Sequence, residues 1–253
     1  MNAFATHGID HLSPSSLNAF AAEPALWVME RLLGHRSPVG CAAHRGTAAE
    51  AGIEIGLINP DLPIAECQAH ALKEFDRLAA LSADPNREKE REAISGIVEI
   101  GLAELRQYGA PSLPENGRQH RVEVTLEGVP VPVMGYLDFL FDGHGIIVDL
   151  KTQLRLASEI PENHARQGAL YQAARGNHQM RFAYVTPKKI GVYVLENGRQ
   201  HLEALRQIAL RLNRFLAVSK DPQELAGIVC PDFTSFYWSD PATRARGREV
   251  FGF

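Results

Sequence analysis

Cysteine is scarce in this chain. Its 253 residues include three, Cys41, Cys67 and Cys230, none close to another in sequence. That spacing supports neither a disulfide framework nor a zinc or iron–sulfur site built on four thiolates, so inert thiols in the cytoplasm are the expectation. Long apolar runs are missing too, since nothing approaches the ~18 residues that a membrane span needs. The opening residues MNAFATHGIDHLSPSS carry neither a basic stretch nor an apolar core and do not read as a secretory signal. No glycine-rich loop ends in lysine and serine, so ATP coupling within the chain is not indicated. The 10 histidines show no zinc-binding spacing. Positive charge is in slight deficit, with 26 Lys and Arg against 30 Asp and Glu and a formal charge of −4. This argues against a protein that coats nucleic acid through bulk electrostatics. It leaves room for an enzyme that gathers carboxylates around divalent cations, which restore positive charge locally.

What is present is a chain of ordinary globular composition whose hydrophobic period changes part-way. Residues 13–33 read as a helix, with Ser13 as N-cap, Pro14 in the first turn and Gly34 beyond the end. Further helices are expected at about 45–58, stopped by Asn59-Pro60, and at 62–82 and 86–108, separated by Asp84-Pro85. A loop rich in proline and glycine covers 109–117. Alternating apolar residues then predict strands at 119–127, 131–141 and 145–151, a helix at 162–175, strands near 181–186 and 190–195, and a helix at 199–217. From Asp221 onward the chain reads as irregular and aromatic. The order predicts an α/β fold with a mixed central β-sheet flanked by helices. One domain over 1–253 is expected, helical over about 1–115 and sheet-containing over about 116–220.

The segment from Gly135 to Lys151, GYLDFLFDGHGIIVDLK, is the most informative. With Gly143-His144 as a two-residue turn, Leu137 would face Leu150, Phe139 would face Val148 and Phe141 would face Ile146, an apolar set suited to a buried face. In that register Asp138 lies across from Asp149, with Cβ atoms roughly 5 Å apart, and a bulge in either strand would break the pairing. Lys151 shares the side of Asp149 because strand side chains alternate. Two carboxylates so placed repel unless positive charge sits between them, which suits hard cations such as Mg2+ and Mn2+. A lysine beside them suits stabilisation of negative charge developing on phosphate. A surface hairpin with an exposed Asp–Lys pair satisfies the same pattern.

Gly135-x-x-Asp138, Asp149-x-Lys151 and Gln167-x-x-x-Tyr171 together resemble the RecB-type branch of the PD-(D/E)xK nucleases. An N-terminal segment, Ser13-Pro14-Ser15-Ser16-Leu17 with Phe20 and Trp27, and the pair Arg45-Gly46 ahead of Glu50 match the same branch in order. The resemblance spans Leu12 to Tyr171. It implies a restriction-endonuclease-like core and phosphodiester hydrolysis assisted by Mg2+ or Mn2+. It assigns metal ligation to Glu50, Asp138, Asp149 and the backbone carbonyl of Leu150. Lys151 would orient water or stabilise charge, while Gln167 and Tyr171, one helical turn apart, would support the site and touch a DNA strand. Many members of the branch carry histidine where this chain has Glu50, and Glu54, one turn on, is the second candidate. Members with an iron–sulfur cluster carry an early cysteine and three late ones. Here Glu23-Pro24 takes the early position and only Cys230 remains late, implying a member without a cluster.

The resemblance therefore implies a DNA exonuclease of recombination, repair or phage DNA processing, with DNA as partner and a single-strand-annealing or recombination protein beside it. A structure-specific endonuclease and a non-catalytic nucleic-acid-binding subunit are the alternatives, the latter disfavoured by the intact Asp149-x-Lys151 and Glu50. Arg166 and Arg175 on the 162–175 helix, and Arg206, Arg211 and Arg214 on the later one, suit phosphate contact or plain solvation. His164 is expected on a solvated helix position, with a place facing the site as the alternative. In the tail, Phe233, Phe236, Tyr237 and Trp238 precede Arg244, Arg246 and Arg248. Such interleaving serves base stacking, but capping of the core is the preferred reading.

Overall fold

The structure is a computed structural model that describes residues 2–114 and 119–253. Residues 115–117 of the expected 109–117 loop, and the start of the sheet-containing part near 116, lie outside the described residues. The short helix α1 (Ala3–Thr6) is followed by α2 (Pro14–Ala22), whose N-cap Ser13 accepts a hydrogen bond from the Ser16 amide at 3.2 Å. The expected 13–33 helix does not run through. Pro24 has no N–H for the ladder and disfavours helical backbone at Glu23, which takes φ −148 and ψ 80, so a separate helix α3 (Pro24–Arg31) begins there.

Three helices come next, α4 (Cys41–Ile58), α5 (Ile64–Leu78) and α6 (Arg87–Leu105), with a 3-10 turn over Arg106–Tyr108. Helix α4 starts four residues earlier than the expected 45 because Asp84 accepts from the Cys41 amide at 2.8 Å. Strands β1 (His120–Val124) and β2 (Val133–Leu137) form an antiparallel ribbon. Strands β3 (Phe139–Phe141), β4 (Ile146–Thr152), β5 (Gln179–Val185) and β6 (Ile190–Val194) form the central sheet in that order. The β4–β5 pair is parallel, joined through α7 (Glu162–Arg175), and the two outer pairs are antiparallel. This is the mixed sheet that the element order predicts.

Helix α8 (Gly198–Leu216) follows the sheet. The tail is irregular only between two short helices and at its end. Asp221 and Asp240 cap α9 (Pro222–Ala226) and α10 (Pro241–Phe251), each with proline in its first turn.

Both sheet faces are covered. Phe139, Phe141, Ile146, Val148, Leu150, Ala183 and Val185 pack against α4, α5 and α6. Leu140, Ile147, Phe182 and Tyr184 pack on the other side with residues of α7 and α8. A strand buried on both faces normally reads as a continuous apolar run. From Ile146 to Leu150 every residue of β4 is buried, and Asp149 is the one that is polar.

Candidate active site

Asp149 is 1% exposed. Apart from an ion pair with Lys151, whose Nζ lies 2.6 Å from Oδ2, neither of its oxygens has a hydrogen-bond partner among the described residues. An ionised carboxylate so placed is costly unless cations neutralise it. Burial pushes the Asp149 carboxyl up, against the opposing pull of the Lys151 ammonium.

Asp138 reaches the same place by a route that the simple hairpin did not contain. The β2–β3 strand bends at Asp138, so Leu137 pairs with His120 of the ribbon and not with Leu150. Leu137 consequently packs in the α7–α8 cluster, while Phe139 packs in the opposite one. Beyond the bend the expected register is seen, with Phe139 opposite Val148 and Phe141 opposite Ile146. The turn also differs. Asp142–His144 form a 3-10 turn, and the left-handed residue is Gly145, at φ 63, not Gly143. In place of a backbone acceptor, Asp138 Oδ2 takes the Leu150 amide at 2.8 Å. Burial first, then the charges of Asp149 and Glu50, push the Asp138 carboxyl well above the usual carboxylate range.

Helix α4 contributes Glu50 from the other side. Gln119 Nε2 donates to Glu50 Oε1 at 2.6 Å. Burial, with the nearby charges of Glu54 and Asp149, pushes the Glu50 carboxyl up to about 7 despite that hydrogen bond. Lys151 completes the cluster. Burial pulls its ammonium down, but the charges of Asp149, Asp138 and Glu50 more than offset this, so it is held positive. Its Nζ donates to Gln167 Oε1 at 3.2 Å, and Gln167 Nε2 donates to the Tyr171 hydroxyl at 2.8 Å. Gln167 thus links the ammonium to the phenol, and that linkage fixes which way its amide faces. Gly135 is required by the same tyrosine, since a Cβ there would stand 2.6 Å from Tyr171 Cε1.

The structure therefore brings Glu50, Asp138, Asp149, Lys151, Gln167 and Tyr171 together, with Leu150 joined through its N–H. Glu54 acts on Glu50 by charge. Arg175 is not drawn to the carboxylates. It lies two turns beyond Gln167, where its Nη2 is 3.1 Å from His120 Nδ1. His164 is not solvated either. Its ring stacks on Phe182 and Tyr184, its Nδ1 is 2.9 Å from the Tyr184 hydroxyl, and burial pulls it down to about 4, aided by the Lys151 charge. Its place one turn ahead of Gly168 and Ala169, both buried against the sheet, is the signal that could have shown this. In the tail Trp238 is buried with Ala25 and Met29, whereas Phe236 is 84% exposed. The core-capping reading thus applies to only part of that stretch.

A buried pair braces the end of β4. Arg45 is ion-paired with Glu90, both side chains being less than a tenth exposed, and also bonds the Thr152 carbonyl at 2.9 Å. Glu90→Ala would strand a guanidinium in the interior and is expected to cost about 3–5 kcal/mol in urea unfolding. An unchanged unfolding midpoint would refute the bracing role.

The donor set suits a hard divalent cation. It consists of carboxylates whose charge the fold concentrates, including the buried Asp149, whose oxygens have Lys151 as their partner and no other among the described residues. Among the described residues no three acidic, thiol or imidazole groups already stand together as a ligand shell. A model of the PD-(D/E)XK nuclease superfamily matches residues 11–231. The chain belongs to this superfamily. PD-(D/E)XK nucleases generally use divalent metals such as Mg2+, and the mixed sheet flanked by helices is consistent with their restriction-endonuclease-like fold. The crystal structure of SSO0001 is similar in part, at 15% identity and a TM-score of 0.35 over 74% of this chain and 84% of that one. No curated protein matches the chain significantly. Among the described residues, no helix is long and apolar enough to cross a membrane.

Proposed function

We propose that this PD-(D/E)XK protein is a divalent-metal-dependent deoxyribonuclease of the RecB type. We read it as an exonuclease of recombination, repair or phage DNA processing, acting in the cytoplasm. One observation carries the proposal. Asp149, otherwise unpartnered inside the central strand, shares its charge field with Asp138, Glu50 and Lys151. Glu50, Asp138, Asp149 and the Leu150 carbonyl would hold Mg2+ or Mn2+. Such an ion would supply Lewis acidity toward a phosphodiester oxygen.

The chain's own groups do the rest. Lys151, kept positive by its neighbours, donates to the phosphate oxygens on which charge grows. Gln167 fixes the direction of that ammonium, and the Tyr171 hydroxyl contacts the strand. Arg175, a turn away, contributes charge along the strand. Because Glu50 from the helical part meets the sheet residues, the 253 residues are read as one nuclease domain.

Purified protein with end-labelled single- and double-stranded DNA, in Mg2+, Mn2+ or EDTA, tests the proposal. Shortening of labelled ends with either metal, stopped by EDTA, is expected. Internal nicking of closed circles would favour a structure-specific endonuclease. Binding without cleavage in either metal would point to a non-catalytic subunit.

A further inference from the structure

Beside the carboxylates the surface sinks into an open concavity of about 290 Å3. Gly135 and Tyr136 of β2 form part of its lining, Ser13 and Ser15 at the start of α2 form another part, and Asp138 and Tyr171 of the candidate site also line it. The chain draws these parts together through Leu12. Its N–H donates to the Pro132 carbonyl at 2.9 Å, and its carbonyl accepts from the Met134 amide at 2.8 Å, so the start of α2 is stitched to β2.

Tyr136 is 53% exposed, between Gly135 and Leu137, which are both buried. Its side chain therefore stands on the outer face of the ribbon, two residues before Asp138. Arg121 lies directly opposite it in the β1–β2 register and is exposed on the same face, where its guanidinium is ion-paired with Glu123 at 2.7 Å. A large aromatic half in water gains little for the core. Placed at the rim of a cavity that contains Asp138, it offers a flat apolar surface to a ligand in that cavity.

Resting on the nuclease reading, we infer that this concavity is a subsite for one unpaired nucleotide, whose base stacks on the Tyr136 ring. The Ser15 hydroxyl, at the start of α2, faces the sugar–phosphate backbone. Bases have π-faces whatever their identity, so stacking of this kind is tolerant of sequence. Within a duplex both faces of each base are already covered by neighbours. Tyr136 therefore reaches only a single strand or a nucleotide freed at an end, because taking a base out of a stack has its own cost. The substrate class that follows is single-stranded DNA, or duplex whose terminal nucleotide has frayed.

Binding by the full-length protein in EDTA tests this, with labelled oligothymidylate and a blunt duplex of equal length as probes. Cleavage of both in Mn2+ is measured in parallel. Wild type is expected to bind the single strand more tightly and to cleave it faster. Tyr136→Ala should weaken single-strand binding by roughly 5- to 150-fold, the range for losing one base–aromatic stack, with a far smaller change for duplex. Tyr136→Phe keeps the ring and should restore binding. Because Tyr136 is exposed, the melting temperatures of both variants should match wild type, which separates a lost stack from a lost fold. If wild type cleaves DNA but Tyr136→Ala matches it on single strands, or weakens both probes by the same factor, the subsite is wrong and the nuclease reading stands. If wild type neither binds nor cleaves either probe, both readings fall together.

Discussion

Asp138→Asn is expected to lower metal-dependent DNA cleavage on the order of 10³-fold or more while leaving the protein folded. The amide keeps an oxygen that can accept from the Leu150 N–H, so the bond that joins the bend to β4 survives. It removes one negative charge from a place where burial and the charges of Asp149 and Glu50 oppose ionisation. In EDTA the variant should therefore melt at or above the wild-type temperature. Added Mn2+ should raise its melting temperature less than it raises that of wild type, since a ligand stabilises only as far as it binds the folded state. Asp149→Asn should abolish cleavage equally but behave differently in EDTA. It takes away the ion-pair partner of Lys151 at 2.6 Å and leaves a largely buried ammonium less well matched, so its melting temperature should fall. Single-turnover rates and melting curves of the two variants check both halves of the argument. A wild-type cleavage rate in either variant removes that carboxylate from the site.

The contrast between these aspartates also shows where sequence reasoning reached and where it stopped. Alternation along a strand is a strict period of two, so the pairing of Phe139 with Val148 and of Phe141 with Ile146 followed from a turn centred on Gly143-His144 together with the apolar residues. Helix α7, expected at 162–175, spans Glu162–Arg175, bounded by Pro161 and Gly176. The bend at Asp138 was not legible. A bulge is set by which backbone groups find partners in three dimensions, and here a side-chain oxygen replaces a ladder acceptor. Pro24 was legible in principle, since proline inside a helical pattern ends the helix at the residue before it. The helices of the tail carried their own signals in Asp221-Pro222 and Asp240-Pro241, but aromatic content outweighed them.

For the candidate site, residue types and order singled out Asp138, Asp149 and Lys151, which lie in one stretch of chain, and Glu50 on an earlier helix. Gln119, the pairing of Arg45 with Glu90 and the contact of His164 with Tyr184 were not legible, although His164 itself was weighed as a residue facing the site. Each acts through a contact between segments distant in sequence, and the His164–Tyr184 and Arg45–Thr152 contacts exist only after the sheet has formed. Exposure was hidden as well. Alternation puts Tyr136 on the face opposite Leu137, but nothing in GYLD shows that this side chain stands half in solvent.

Glu50→Ala is expected to reduce cleavage on the order of 10²-fold or more and to weaken Mn2+ binding measured by calorimetry. Glu50 comes from a helix, carries the Gln119 hydrogen bond at 2.6 Å, and stands within the charge field of Asp149 and Lys151. With its carboxyl pushed up from 4.5 to about 7, the neutral form is favoured in the fold. The contribution of that shift to stability is therefore full below about 4.5 and is lost as pH rises through about 7. A cation needs the ionised form, so wild-type Mn2+ affinity should climb with pH toward about 7 and release protons on the way. Glu50→Ala should flatten that climb, which a loss of packing alone does not predict. Glu50→His should retain measurable activity and shift preference toward Mn2+ over Mg2+, because imidazole is a softer ligand than carboxylate. Glu54 faces the same region one turn later and raises Glu50 by its charge. If Glu50→Ala cleaves at the wild-type rate in both metals and Glu54→Ala does not, the helix ligand is Glu54.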